Sequence, residues 1–267
     1  MAARLARTRR HNSEEQPVEE RHKVIGFIPA RYESTRFPGK PLADIEGKPM
    51  IVRVYERALQ SDLLDAVYVA TDSPLVAESV QRHGGQVVHT SKDKASGTDR
   101  IAEAASILSL SMNDIVVNIQ GDQPLFDPSM IREVSAPLLE DESAPMSTLI
   151  YRIVRDEEIT HPNAVKTVFD KYGFALYFSR ATIPFSRKGN AHQTYYKHHG
   201  IYAYRNDFLQ KFARLPVSPL EALEGLEQLR ALENGFRIKV VITEKDSIEV
   251  DTPQDLERVR EIYRKSV

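Results

Sequence analysis

Short apolar runs alternate with stripes of helical spacing along this chain. The first run, 24–28, is continuously apolar apart from Gly26 and stops at Pro29, as a buried strand does. Ile51, Val54, Tyr55 and Ala58 then recur on one face of a helix predicted over 49–60. A second strand is expected at 66–70. A helix follows over 75–83, capped by Asp72 or Ser73 and stopped by Gly84 and Gly85, then a third strand at 86–89. This β, α, β, α, β order is that of a doubly wound sheet. Beyond a helix at 101–110, the run 115–119 reads as a central strand. A helix at 128–140 leads to a strand at 145–154, whose Ser147 and Thr148 suggest a sheet edge. Strands at 164–169 and 175–178 flank Lys171-Tyr172-Gly173 as a hairpin would, so the sheet should turn mixed there. A strand at 199–204, a leucine-striped helix at 219–233 and a strand at 238–242 follow. The run 248–250 is expected to end one more strand, with Thr252 capping a last helix and Pro253 at its first position.

Composition narrows the classes. The 267 residues suffice for one large α/β domain. Net charge is −2, so nothing global favours nucleic acid or an anionic membrane. There is no cysteine, which removes disulfides, thiolate metal sites and cysteine nucleophiles. No apolar run is long enough to span a bilayer. Residues 1–22 are polar and charged, lack an apolar signal core, and read as a disordered tail or an upstream extension of the frame. The remainder, 23–267, reads as a single domain, and the cytoplasm is the expected compartment.

Two loops carry candidate chemistry. The first follows the first strand and holds Arg31, Ser34, Thr35, Arg36, Gly39 and Lys40, stiffened by Pro29, Pro38 and Pro41. Its cations sit where α/β sheets bind ligands and suit a polyphosphate, although the spacing is not that of a P-loop. A solvated basic loop is the plain alternative. The second loop, Gln120-Gly121-Asp122, follows the strand at 115–119; Asp122 is placed either to hold magnesium or merely to bond its own turn. Asp251 is a second carboxylate expected at a strand end. Ser96 and Thr98 fit equally as helix caps or, with Gly97, as readers of a base or ribose; Arg100 is not explained by capping. His198 and His199 are adjacent on a strand and point to opposite faces, so they do not chelate as a pair, and one can face a cleft. Periodicity leaves Glu227 and Gln228 on a solvated flank.

The blocks IPARYESTRFPGKPL, ATD, SGTDR, VNIQGDQP, NAVK, ALYFSRATIPF, YKHHGIYAY, LEQLRALE and VDTP, in this order, resemble the cytidylyltransferases that activate 3-deoxy-manno-octulosonate (Kdo). The match runs from Val24 to about Arg258. The resemblance implies a Rossmann-like mixed sheet with helices on both faces, the nucleotide-diphospho-sugar transferase fold. It implies transfer of CMP from CTP to Kdo with release of pyrophosphate, for lipopolysaccharide synthesis. By resemblance Arg31, Arg36 and Lys40 contact the triphosphate and, with Asp122, carry catalysis. Ala30, Ser96, Gly97, Thr98, Arg100 and Gln120 surround the cytidine. Asp122 and Asp251 hold Mg2+, and Arg180, His198, Tyr202, Glu227 and Gln228 form the sugar pocket. The partners implied are CTP and an acidic eight-carbon sugar, in a homodimer joined around 172–204, with neither nucleic acid nor a stable membrane contact.

In the implied reaction the anomeric hydroxyl attacks the α-phosphorus in line, and the protein contributes positioning and charge neutralisation. No general base stands out. The short, histidine-bearing segment 190–197 also resembles the branch acting on 8-amino-3,8-dideoxy-manno-octulosonate, whose amine calls for a carboxylate that the sequence does not place. A nucleotide-binding regulator on the same fold would be expected to lack a metal carboxylate or Lys40, and this chain retains all three residues.

Overall fold

The computed structural model describes residues 22–33, 37–141, 143–187 and 193–265. The expected tail, His22 excepted, lies outside these residues, as do Ser34, Thr35, Arg36 and His192. Nine strands form the main sheet: β1 (Val24–Ala30), β2 (Ala66–Thr71), β3 (Val87–His89), β4 (Ile115–Asn118), β5 (Met146–Arg152), β6 (Lys166–Phe169), β7 (Ala175–Ser179), β8 (Tyr196–Arg205) and β9 (Ile238–Thr243). Along the sheet the order is β9-β5-β8-β4-β1-β2-β3, with β6 pairing to both β8 and β7. The β4-β1-β2-β3 half is parallel, and β8 runs antiparallel to β4, β5 and β6. The mixed sheet read from the pattern is therefore present.

Helices cover both faces. One layer packs α1 (Met50–Ala58), α2 (Pro74–Arg82) and α4 (Ser129–Glu140) through Ile51, Val76, Met130 and Val134. The opposite layer holds α3 (Gly97–Ile107) and α5 (Asn206–Phe212) through Ile101, Ala105, Phe208 and Phe212. A smaller cluster of Ile45, Met50, Val250, Leu256 and Val259 docks the C-terminal helix Pro253–Lys265 beside the first loop. No helix among the described residues is long and apolar enough to cross a membrane.

Three expectations fail. The strand carrying Ser147 and Thr148 is interior, between β9 and β8. Its hydroxyls are buried because backbone carbonyls satisfy them: Ser147 donates to Val134, and Thr148 lies 2.9 Å from the Ile201 carbonyl. The helix over 219–233 is two pieces, Pro219–Glu224 and Gln228–Glu233, because Gly225 turns left-handed at φ 62°. That break buries Leu226 and Leu229 while leaving Leu223 81% exposed, so the leucine stripe is not one face. Residues 248–250 form no strand. A ladder-like bond, Val250 N–H to the Asp122 carbonyl at 2.9 Å, ties them to the neighbouring loop instead.

Candidate active site

That contact places Asp251 beside Asp122. Gly121 allows the turn: a Cβ there would lie 3.1 Å from the Pro29 carbonyl oxygen, tighter than a side chain tolerates without movement. Tyr263 of the last helix donates to the Pro124 carbonyl at 2.8 Å, tying the second carboxylate's support to the first one's loop. Lys40 enters from the first loop, where Leu42 N–H donates to the Gly39 carbonyl at 2.9 Å. Its Nζ donates to Asp122 Oδ2 at 2.7 Å and lies 3.4 Å from Asp251 Oδ1. Three residues separated by up to 211 positions thus meet at one point at the carboxyl end of the parallel strands.

A third carboxylate borders them. Glu249 accepts from Gln123 Nε2 at 3.0 Å, and desolvation of its carboxyl together with the charges of Asp122 and Asp251 pushes its pKa up to about 7. Sequence reading passed over Glu249; its alternation with Asp251 in Ile248-Glu249-Val250-Asp251 was the available signal.

Magnesium is the ion the resemblance implies for this pair. Among the described residues no three histidine, cysteine or acidic side chains are grouped for a metal, so the chain offers two carboxylates and leaves the other positions to substrate oxygens and water. Magnesium is commonly held that way when it bridges phosphates. That both carboxylates already converge on the cation of Lys40 shows that the spot favours positive charge. The residues present fit the ion.

A cleft of about 180 Å³ next to this cluster is lined by Ala30, Arg31, Lys40, Gln120 and Asp122. Arg31, exposed, also borders a second cleft of about 290 Å³ with Asp72, Lys92 and Arg100, so the two flank one cation. Arg31 reaches the Lys94 carbonyl. Gln120 donates to the Gly200 carbonyl at 2.6 Å. Arg100 is fully buried, with Nη2 2.9 Å from Asp72 Oδ1 and Nη1 2.5 Å from the Thr90 hydroxyl. Asp72 is free for this role because Ser73, not Asp72, caps α2. Arg36 lies outside the described residues.

Ser96 caps α3 in a reciprocal box with Asp99, as the capping reading expects. Of the residues expected around the sugar, Glu227 lies against the start of α3. Glu227 accepts from the Ser96 and Thr98 hydroxyls, each at 2.9 Å, and burial raises its pKa from the ordinary value. Gln228 is 4% exposed with Nε2 lacking a partner among the described residues. Glu227 and Gln228 are therefore not a solvated flank. Arg180 donates Nε to the Glu224 carbonyl at 2.7 Å and Nη1 to that of Pro162 at 3.0 Å, anchoring the turn that carries Gly225. Tyr202 is nearly buried, its ring 5.2 Å from that of His198.

His198 and His199 do face opposite sides: His198 packs on Phe178 and Tyr202, His199 on Tyr151 beside Asp246. Burial pushes their pKa values down to about 3 and about 4. Both rings are thus neutral at pH 7. As pH falls below about 6.5 the unfolded chain binds protons that the fold refuses, so stability falls through that window. Each histidine contributes a slope of up to about 1.4 kcal/mol per pH unit. Urea unfolding between pH 7 and 4.5 should show this slope, and His198→Phe should flatten it. An equally steep variant would refute the assignment.

The model of a family described as cytidylyltransferase matches residues 25–244. The chain belongs to the cytidylyltransferase family. As a cytidylyltransferase it is a nucleotidyltransferase, with the fold that the resemblance implied. It is 60% identical over 240 residues to a 3-deoxy-manno-octulosonate cytidylyltransferase of Syntrophus aciditrophicus, covering 90% of this chain and 97% of that protein. It is 54% identical over 237 residues to an 8-amino-3,8-dideoxy-manno-octulosonate cytidylyltransferase of Shewanella sp., covering 88% and 96%. A solved structure of CMP:2-keto-3-deoxy-manno-octonic acid synthetase complexed with CTP superposes with a TM-score of 0.86 at 43% identity, covering 92% of this cytidylyltransferase and all of that chain.

Proposed function

We propose that this cytidylyltransferase transfers CMP from CTP to the anomeric hydroxyl of Kdo, releasing pyrophosphate, and so makes the sugar donor for lipopolysaccharide. The observation that carries the reading is the meeting of Lys40, Asp122 and Asp251 at the mouth of the cleft lined by Arg31. A non-catalytic nucleotide binder would have no use for two carboxylates converging there. The relative from Syntrophus aciditrophicus supports Kdo as the sugar.

The chain's part is positioning and charge. Arg31 and Arg36 hold the triphosphate, and the forked guanidinium suits its oxygens. Lys40 balances Asp122 and Asp251 in the free protein and offsets charge on the departing pyrophosphate during transfer. Asp122 and Asp251 would hold magnesium, which when bound would lower the pKa of the attacking hydroxyl and neutralise phosphate charge. Ala30, Gly97, Arg100 and Gln120 shape the cytidine end; Arg180, His198, Tyr202, Glu227 and Gln228 shape the sugar end. The proposal includes a homodimer using the exposed Tyr172, Leu176 and Phe185, and a cytoplasmic setting without stable membrane association.

The 8-amino sugar is the second reading, favoured by the Shewanella relative. A cavity of about 370 Å³ beside Asp251 is bordered by Glu157, Glu158 and Asp246, of which Glu158 and Asp246 already pair with Lys197. Pyrophosphate release with CTP and magnesium, tested on both sugars in parallel, decides between them. Turnover with Kdo is expected. Preference for the amino sugar would replace the substrate, and release with neither would defeat the proposed function.

A further inference from the structure

The resemblance assigns Ser96 and Thr98 to the nucleotide, but their hydroxyls point elsewhere. Ser96 Oγ donates to Glu227 Oε1 and Thr98 Oγ1 to Glu227 Oε2, both at 2.9 Å, so each carboxylate oxygen has its own donor. The Ser96 hydroxyl simultaneously accepts from Asp99 N–H at 3.0 Å, which directs its single proton to Glu227. Thr98 is 2% exposed, so its hydroxyl is turned away from solvent. Glu227 stands at the start of the helix Gln228–Glu233, beside the buried Gln228, whose Nε2 has no partner among the described residues. A carboxylate held by two donors keeps further lone pairs for hydroxyls, and the Gln228 amide nitrogen beside it has no partner among the described residues. A polyhydroxylated ligand meets both needs.

We propose that Ser96 and Thr98 are positioning residues for the sugar, fixing the Glu227 carboxylate in the orientation that accepts sugar hydroxyls. This rests on the reading of Glu227 as a sugar ligand. It makes the start of α3 a joint between the two substrate sites, with its hydroxyls serving the sugar.

The test is a steady-state comparison in which CTP and Kdo are each varied with the other saturating. Thr98→Val keeps the shape and removes the donor. Its KM for Kdo should rise about tenfold, the size expected on losing one hydrogen bond to a charged group. Its KM for CTP should stay within about twofold, and Thr98→Ser should restore the sugar KM. A general loss of fold would lower active-enzyme concentration without splitting the two KM values. A rise in KM for CTP with that for Kdo unchanged, or an equal rise in both, would overturn the proposal. Should Thr98→Val not fold, Ser96→Gly, which retains an acceptable cap, reads the same split. A wild-type enzyme inactive on Kdo and its amino analogue would instead show that the proposed function, not the joint, is at fault.

Discussion

Asp122→Asn is expected to lower turnover by at least about a hundredfold, the scale on which a single well-placed electrostatic group acts in a transition state. The amide keeps the shape of the side chain and can still approach Lys40, so the fold should survive. What it loses is half of the negative charge that Asp122 and Asp251 bring to one point. Lys40 lies 2.7 Å from the first and 3.4 Å from the second, so Asp122 is its closer partner. The pyrophosphate assay should show the loss at saturating CTP and sugar, with partial recovery at higher magnesium if the defect is in holding the ion. An unchanged circular-dichroism spectrum would exclude misfolding. A near-normal rate would remove Asp122 from the metal pair and leave it as a turn residue.

The second large effect concerns stability. The Arg100 side chain is 1% accessible, and its charge is balanced by Asp72, whose side chain is 18% accessible. The 2.9 Å contact is ionic rather than a well-aligned hydrogen bond, leaving the Thr90 hydroxyl as the better-directed partner. Asp72→Asn leaves a guanidinium buried without its counter-charge. Such a loss costs about 3 kcal/mol, at the low end of the range for broken buried pairs because water can reach Asp72. For a chain of this size that lowers the melting temperature by roughly 6–12 °C. Calorimetry of Asp72→Asn would check it. Adding Arg100→Met should recover part of the loss, since a buried charge then no longer needs a partner. A melting temperature within a degree of wild type would show that Arg100 is stabilised by other groups.

The alternation of apolar runs and helical stripes in the first 120 residues was enough to give β1, α1, β2, α2 and β3 in order. Burial on both faces of a parallel sheet needs continuous apolar strands, and amphipathic helices must cover them. The same logic misled at Ser147 and Thr148. A polar residue in a strand reads as solvent-facing, yet here carbonyls distant in sequence accept its protons. The helix over 219–233 was misjudged because leucines at helical spacing outweighed Gly225, and only the left-handed turn there exposes Leu223 while presenting Glu227 to α3.

The cationic loop and the Gln120-Gly121-Asp122 turn were legible because residue type and position after a strand already carry their chemistry. Hydrophobic patterning and loop composition are local, so the chain alone determined its α/β class, most of its elements and which residues could bear charge chemistry. Which of them meet is a matter of long-range packing. The bond from Val250 to Asp122, the docking of the last helix on Ile45 and Met50, and the grip of Ser96 and Thr98 on Glu227 join segments some 130 residues apart or more. No local pattern encodes such partners; the tertiary structure decided them by burying those segments together.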